Sequence, residues 1–118
     1  MEIRMEEKNG ILIFRMIGDI NVNTAPDLKV SFDAMAKPEG VKIILNLIKV
    51  DYVDSSGLAT MVEILKSLRK CNGKLKLTNL SVKVRGLFEI TKLTQLFDIS
   101  DEEDEAVNSF GRSEDCQS

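Results

Sequence analysis

The chain of 118 residues contains no histidine. That removes the usual general base near neutral pH, the commonest metal ligand and every Ser–His or Cys–His nucleophile pair. Its two cysteines, Cys71 and Cys116, lie far apart and match no metal-binding or redox spacing, so both read as free thiols. There is no Gly-rich phosphate loop and no cluster of cofactor ligands. Enzymatic chemistry, a metal and a cofactor are therefore not expected. No apolar run approaches the length of a membrane span, and the opening residues Met1–Glu7 are charged and lack a signal-peptide core. A cytoplasmic protein with no direct membrane insertion is expected. No basic patch is interleaved with aromatics, which argues against nucleic-acid binding.

What is present suits one globular domain. Hydrophobic content is 43% and charged content 30%, ordinary values for a folded soluble chain. Net charge is −3 and unevenly spread. Residues 101–118 carry seven acids against one base, while the first hundred carry fifteen bases against twelve acids. The run Asp101–Glu105 reads as the solvated first turn of a terminal helix, where acids suit the helix dipole. The domain is expected over residues 1–110, with 111–118 a flexible C-terminal tail.

Periodicity predicts the elements. Glu2–Lys8 alternates like a half-buried strand, Asn9-Gly10 forms a two-residue hairpin turn, and Ile11–Ile17 is its more deeply buried partner. Asn23 or Thr24 would cap a first helix running to about Ala36, with Leu28, Phe32, Met35 and Ala36 as its apolar stripe and Pro38-Glu39-Gly40 as its stop. Val41–Leu47 reads as a central strand covered on both faces. The stretch from Ser56 to Cys71 repeats Leu58, Met61, Val62, Leu65 and Leu68 at helical steps and ends at Asn72-Gly73. Lys74–Leu80 gives a fourth strand, Ser81 caps a helix from Val82 to about Ile90, and Leu93–Ile99 holds a turn and a short strand. A terminal helix follows from Glu102 to about Phe110. The order β-β-α-β-α-β-α-β-α predicts an α/β fold: a mixed, mostly parallel sheet of about five strands with about four helices.

In such a sheet, ligands and partners meet the loops at the carboxyl ends of the strands. Two loops leave that end, Gly18–Thr24 and Ile48–Ser56. They place Asp19, Asn21, Asn23 and Thr24 beside Asp54, Ser55 and Ser56. Asp54 and Ser55 are both favoured N-cap residues, and Gly57 would ease the turn into the helix. A serine there could instead accept a phosphoryl group, which would meet the free N–H groups and positive dipole of a helix N-terminus. Residue types alone leave both roles open.

Three segments carry a resemblance: Gly18-Asp19-Ile20-Asn21 leading to Thr24-Ala25-Pro26; Leu45-Asn46-Leu47 with Tyr52-Val53-Asp54-Ser55-Ser56-Gly57-Leu58; and Asn79-Leu80-Ser81 with Val84–Thr91. With them the chain resembles the anti-sigma factor antagonists, the stand-alone STAS domains of bacteria, from Ile11 to about Ile99. The resemblance implies a single STAS domain and a partner switch in the regulation of transcription. Unphosphorylated, such a protein binds an anti-sigma factor serine kinase and frees the sigma factor. Phosphorylation of the first serine of the pair, here Ser55, ends the binding, and a Ser/Thr phosphatase acting on phospho-Ser55 restores it. The kinase holds the ATP. Asp19, Asn21, Asn23, Thr24, Asp54, Ser56 and Gly57 would form the docking surface, with Thr60 as an exposed residue of the following helix. Two positions depart from the family: Asn21 stands where an acid is common, and Lys92 where glycine is frequent. Related STAS domains serve instead as accessory subunits of membrane lipid transporters or in stress-sensing assemblies.

Overall fold

The computed structural model describes the backbone of residues 2–35 and 39–117 and the side chains of residues 2–34 and 39–110. Five strands form one sheet: β1 (Glu2–Lys8), β2 (Ile11–Ile17), β3 (Lys42–Lys49), β4 (Lys74–Thr78) and β5 (Asp98–Ser100), in that spatial order. β1 and β2 are an antiparallel hairpin, and every other pair is parallel. The hairpin turns at Asn9 and Gly10, both at positive φ (55° and 79°), as a two-residue turn matched to strand twist requires. The crossovers are α1 (Ala25–Met35), α2 (Ser55–Lys70) and α3 (Val82–Ile90), and α4 (Glu103–Gln117) ends the chain. The expected α/β fold, with five strands and four helices, is what is found.

The two faces of the sheet are covered differently. α1, α2 and α3 share one core with Phe14, Met16, Ile43, Leu45, Leu47, Leu75 and Leu77. Ile11, Ile13 and Ile44 point the other way and, among the described residues, cluster with Ala106 and Phe110 of α4. This two-sided burial explains why Ile43–Leu47 is an unbroken buried run. On α2, Leu58, Met61, Leu65 and Leu68 are buried as expected, Val62 is half-buried, and Ile64, absent from the expected stripe, is fully buried.

Some boundaries move for local reasons. β4 stops at Thr78 rather than Leu80 because Asn79 takes a left-handed conformation (φ 60°). α2 ends in paired bonds, Gly73 N–H to Leu68 O at 2.7 Å and Asn72 N–H to Arg69 O at 3.3 Å, with Asn72 at φ 59°; this is the left-handed helix stop in which asparagine replaces the usual glycine. Lys92 also sits at φ 62°, a conformation glycine adopts at less cost. α4 continues to Gln117, past the expected end near Phe110, since a single glycine such as Gly111 weakens a helix by about 1 kcal/mol without ending it. The expected roles of Ala36 and Pro38, of the Met35 and Cys116 side chains, and of Ser118 lie outside the described residues.

The acidic run is solvated as expected at Asp101, Glu102, Asp104 and Glu105, while Glu103 is half-buried, and three of the acids also make bonds that the sequence does not show. Asp101 accepts from Arg85 (2.9 Å), Glu102 from Asn79 (3.3 Å), and Glu103 takes Arg15 on both oxygens (3.0 and 2.8 Å) together with Asn46 Nδ2 (2.9 Å). Because α4 must close the second face, its first turn lands on polar groups of β2 and β3. Under it, buried Lys76 pairs with Asp98, donates to Ser109 Oγ at 3.2 Å and lies 5.0 Å from the Phe110 ring centre. The Arg15 guanidinium, and after it Asn46, hold the Glu103 carboxyl below the usual carboxylate range, against the opposing effect of burial.

A depressed folded-state pKa gives stability that is present above the ordinary glutamate value and lost as pH falls through the folded one. Glu103→Gln is therefore expected to cost about 1.5 kcal/mol at pH 7 and progressively less as the pH falls below about 4. Urea unfolding of both proteins across pH 3–7 reads this as converging midpoints; a constant gap would show that the carboxylate charge contributes nothing.

Candidate functional site

The loop after β2 and the loop after β3 are stitched together at the carboxyl end of the sheet. Ile20 N–H donates to Tyr52 O (2.9 Å) and Asp54 N–H to Ile20 O (3.1 Å), a single parallel bridge between Ile20 and Val53. The two side chains are fully or nearly fully buried, so the bridge is anchored in the core.

Asp54 completes the junction. It is the N-cap of α2, with extended backbone (φ −95°, ψ −177°), and its Oδ1 accepts from Gly57 N–H at 2.9 Å. Its Oδ2 accepts from Val22 N–H in the other loop at 3.1 Å. One carboxylate thus caps a helix and ties the neighbouring loop to it. The choice left open between Asp54 and Ser55 as cap falls to Asp54. Ser55 is then the first helical residue, exposed, and its hydroxyl makes no hydrogen bond among the described residues. Ser56 beside it is half-buried. The Ser55 and Ser56 N–H groups have no partner among the described residues, as first-turn donors characteristically lack one.

Gly57 has a role other than the expected one. It is helical, and its φ needs no glycine. A Cβ at this position would lie 2.6 Å from Ile20 O, 2.7 Å from Ile20 Cγ2 and 2.9 Å from Val53 Cγ1. The missing side chain lets α2 press against the Ile20–Val53 bridge.

The first loop folds on itself. Asn21 Oδ1 accepts from the N–H groups of Asn23 (2.9 Å) and Thr24 (3.1 Å). Thr24 Oγ1 accepts from Asn21 N–H (2.9 Å) and donates to Asp19 O (2.7 Å). Thr24 holds the cap position of α1 through its carbonyl, which accepts from Leu28 N–H at 3.2 Å. The side chains that organise the turn are those of Asn21 and Thr24, while Asn23 contributes its N–H. Asn21 acts there through its carbonyl oxygen, a task open to a carboxylate as well. Asp19 and Asn23 are exposed, and Thr60 is half-buried rather than exposed.

A groove of about 620 Å³ opens beside Ser55, between the Asp51–Ser55 segment and α3. The sequence reading placed nothing from α3 at the site. Yet α3 supplies Val82 (91% exposed), Ile90 (82%) and Leu87, with Lys83, whose ammonium lies 5.8 Å from the ring centre of Tyr52 across the groove. The signal was available: Val84 and Phe88 already form the core stripe of this short helix, so its other apolar residues had to face elsewhere.

No helix among the described residues is long and apolar enough to cross a membrane, and no group of three or more His, Cys, Asp or Glu among them could hold a metal ion.

The family model of the STAS domain matches residues 2–106. A Listeria monocytogenes protein named anti-sigma-B factor antagonist is 36% identical over 105 residues, covering 89% of this chain and 91% of that protein. Among solved structures, an anti-sigma-factor antagonist (STAS) domain protein from Planctomyces limnophilus matches with a TM-score of 0.85 at 15% identity, over 92% of this chain and 97% of its own. The Bacillus cell fate determinant SpoIIAA in its phosphorylated form matches with a TM-score of 0.70 at 20% identity, over 92% and 99%. At these identities the two structures speak for the fold alone.

Gly57→Ala is expected to destabilise the chain by about 2 kcal/mol, since the Ile20 carbonyl cannot retreat without losing its bond to Asp54. Gly86→Ala, also helical but with open space where its Cβ would lie, is expected to stabilise by up to about 1 kcal/mol. Opposite shifts of the urea midpoint would establish the packing constraint; equal shifts would reject it.

Proposed function

The chain belongs to the anti-sigma factor antagonist family of STAS domains, and from that premise we propose that it binds an anti-sigma factor which is also a serine kinase, and that phosphate on Ser55 ends the binding. The observation that carries this reading is the division of labour at the start of α2. Asp54 performs the capping, which leaves the Ser55 hydroxyl exposed and without a hydrogen bond among the described residues. A serine engaged as a cap would have to surrender that bond before it could react.

The transfer is the kinase's chemistry. The Ser55 oxygen attacks the γ-phosphorus of ATP held by the kinase. A new O–P bond forms as the bond to the ADP oxygen breaks, and the hydroxyl proton passes to a base of the kinase. A Ser/Thr phosphatase reverses the state by hydrolysis. This chain supplies the acceptor and the docking face: Asp19, Asn21, Asn23 and Thr24 from the first loop, and Asp54, Ser56 and the first turns of α2 as far as Thr60, with Gly57 setting their spacing. A phosphoryl group brings about −1.5 to −2 charge at pH 7. It would stand beside the exposed Asp51 and the half-buried Asp54, changing the face a partner must desolvate. Both proteins would meet in the cytoplasm.

Pull-down of the tagged chain from its native cells, with mass spectrometry, tests the reading. An ATP-binding serine kinase among the captured proteins and phosphate on part of the Ser55 population are expected. Transporter subunits with Ser55 unmodified would replace it with an accessory-subunit function. With the captured kinase and labelled ATP, Ser55→Ala is expected to take up no label yet still bind, whereas Ser56→Ala still takes up label; label on Ser55→Ala would sink the site assignment.

A further inference from the structure

Lys83 is the only base among the residues lining the groove beside Ser55, which also include the acids Asp51 and Asp54. Its ammonium stands 5.8 Å from the Tyr52 ring centre, near the outer limit of a cation–π contact and weakly held at an exposed site. It forms no ion pair among the described residues. Both oxygens of Asp54 are taken by backbone N–H groups. A flexible, charged side chain with no fixed carboxylate partner therefore shares a groove with an exposed serine.

Resting on the reading of Ser55 as the modified residue, we infer that Lys83 is the binding residue for the phosphoryl group of phospho-Ser55, leaving the Tyr52 ring to reach it. A phosphoryl group at this point has three strong acceptor oxygens and nearly two negative charges. On one side it meets the unpartnered N–H groups of Ser55 and Ser56 and the positive end of α2. Asp51 and Asp54 repel it. Among the groove residues, Lys83 alone can offset that repulsion, and its long stem rotates freely enough to do so. The pair spans the groove from the Asp51–Ser55 segment to α3. Phosphorylation then adds charge and also draws a lysine across the apolar walls formed by Tyr52, Leu87 and Ile90. Leu87 is half-buried, while Tyr52 and Ile90 are exposed in the structure.

The test uses the full chain with phosphoserine installed at position 55 during translation, so that no kinase is needed. The phosphorus NMR titration of the parent is compared with Lys83→Gln and Lys83→Arg. Lys83 is a solvent-exposed side chain, so both variants retain the fold. A neighbouring cation favours the dianion, so the midpoint of the parent is expected about half a unit below that of Lys83→Gln, with Lys83→Arg close to the parent. Tyr52 is the sole tyrosine and the chain has no tryptophan. Its ring signals are expected to move further on phosphorylation in the parent, where the lysine leaves the ring, than in Lys83→Gln. Equal midpoints in parent and Lys83→Gln would overturn the pairing. That outcome leaves the identity of the kinase's target untouched, and failure of the kinase to label Ser55 leaves the pairing measurable.

Discussion

The site depends on where the two oxygens of Asp54 go. One satisfies an N–H at the start of α2, and the other reaches an N–H of the loop after β2. A charged acceptor on backbone donors makes bonds about twice as strong as neutral ones. Here they fix two loops that the chain itself separates by a helix and a strand. The Ile20–Val53 bridge lies directly beneath, and Gly57 is the concession that lets the helix come close enough. Without this junction the loops would be two independent turns, and Ser55 would have no defined surroundings. With it, the serine stands on a rigid platform and contributes nothing to holding that platform together.

The opposite face of the sheet shows a different solution to burial. Three crossover helices fall on one side, so α4 alone must cover the other. It does so with few apolar contacts, chiefly Ala106 and Phe110 against Ile11, Ile13 and Ile44. Polar and ionic groups complete the seal: Arg15 and Asn46 on Glu103, and Lys76 on Asp98 and Ser109. Each pair has one partner largely buried and one reaching water, Glu103 with Arg15 and Lys76 with Asp98, so removal of the partner leaves the buried member short of a hydrogen bond. They hold α4 in one register, a task that a small apolar patch performs poorly.

The elements were legible because their signals are local. The Asn9-Gly10 turn, the Ser81 cap and the apolar stripe of α2 each rest on residues close in sequence, and the structure reproduces the first two and the stripe at Leu58, Met61, Leu65 and Leu68. Long-range features were less visible. The partners of the acidic run at 101–105 stay hidden in the sequence because Arg15, Asn46, Asn79 and Arg85 come from four other places in the chain. The groove was missed for the same reason, since α3 reaches the Ser55 region only through the sheet order. Gly57 was credited with backbone freedom when its constraint is contact with Ile20 and Val53, residues that only the fold brings near it. Asn21 stands where an acid is common, and its Oδ1 makes acceptor bonds in the turn that a carboxylate would make as well.

These arrangements bear on how a covalent mark at Ser55 can act. The bonds that define the junction belong to Asp54 and to backbone groups, so a phosphoryl group displaces none of them and the fold has no reason to change. What changes is the cost of covering the surface. An exposed hydroxyl beside an apolar groove can be buried by a partner at little expense, because one hydrogen bond satisfies it. A phosphoryl dianion beside Asp51 and Asp54 would cost far more to bury, even with Lys83 and the α2 N–H groups on it, unless the partner supplied further cations or donors. On the proposed reading, discrimination between the two states would lie in desolvation at one point of contact, with the platform common to both. A switch of this kind would need rigidity more than motion, and the doubly used carboxylate of Asp54 would provide it.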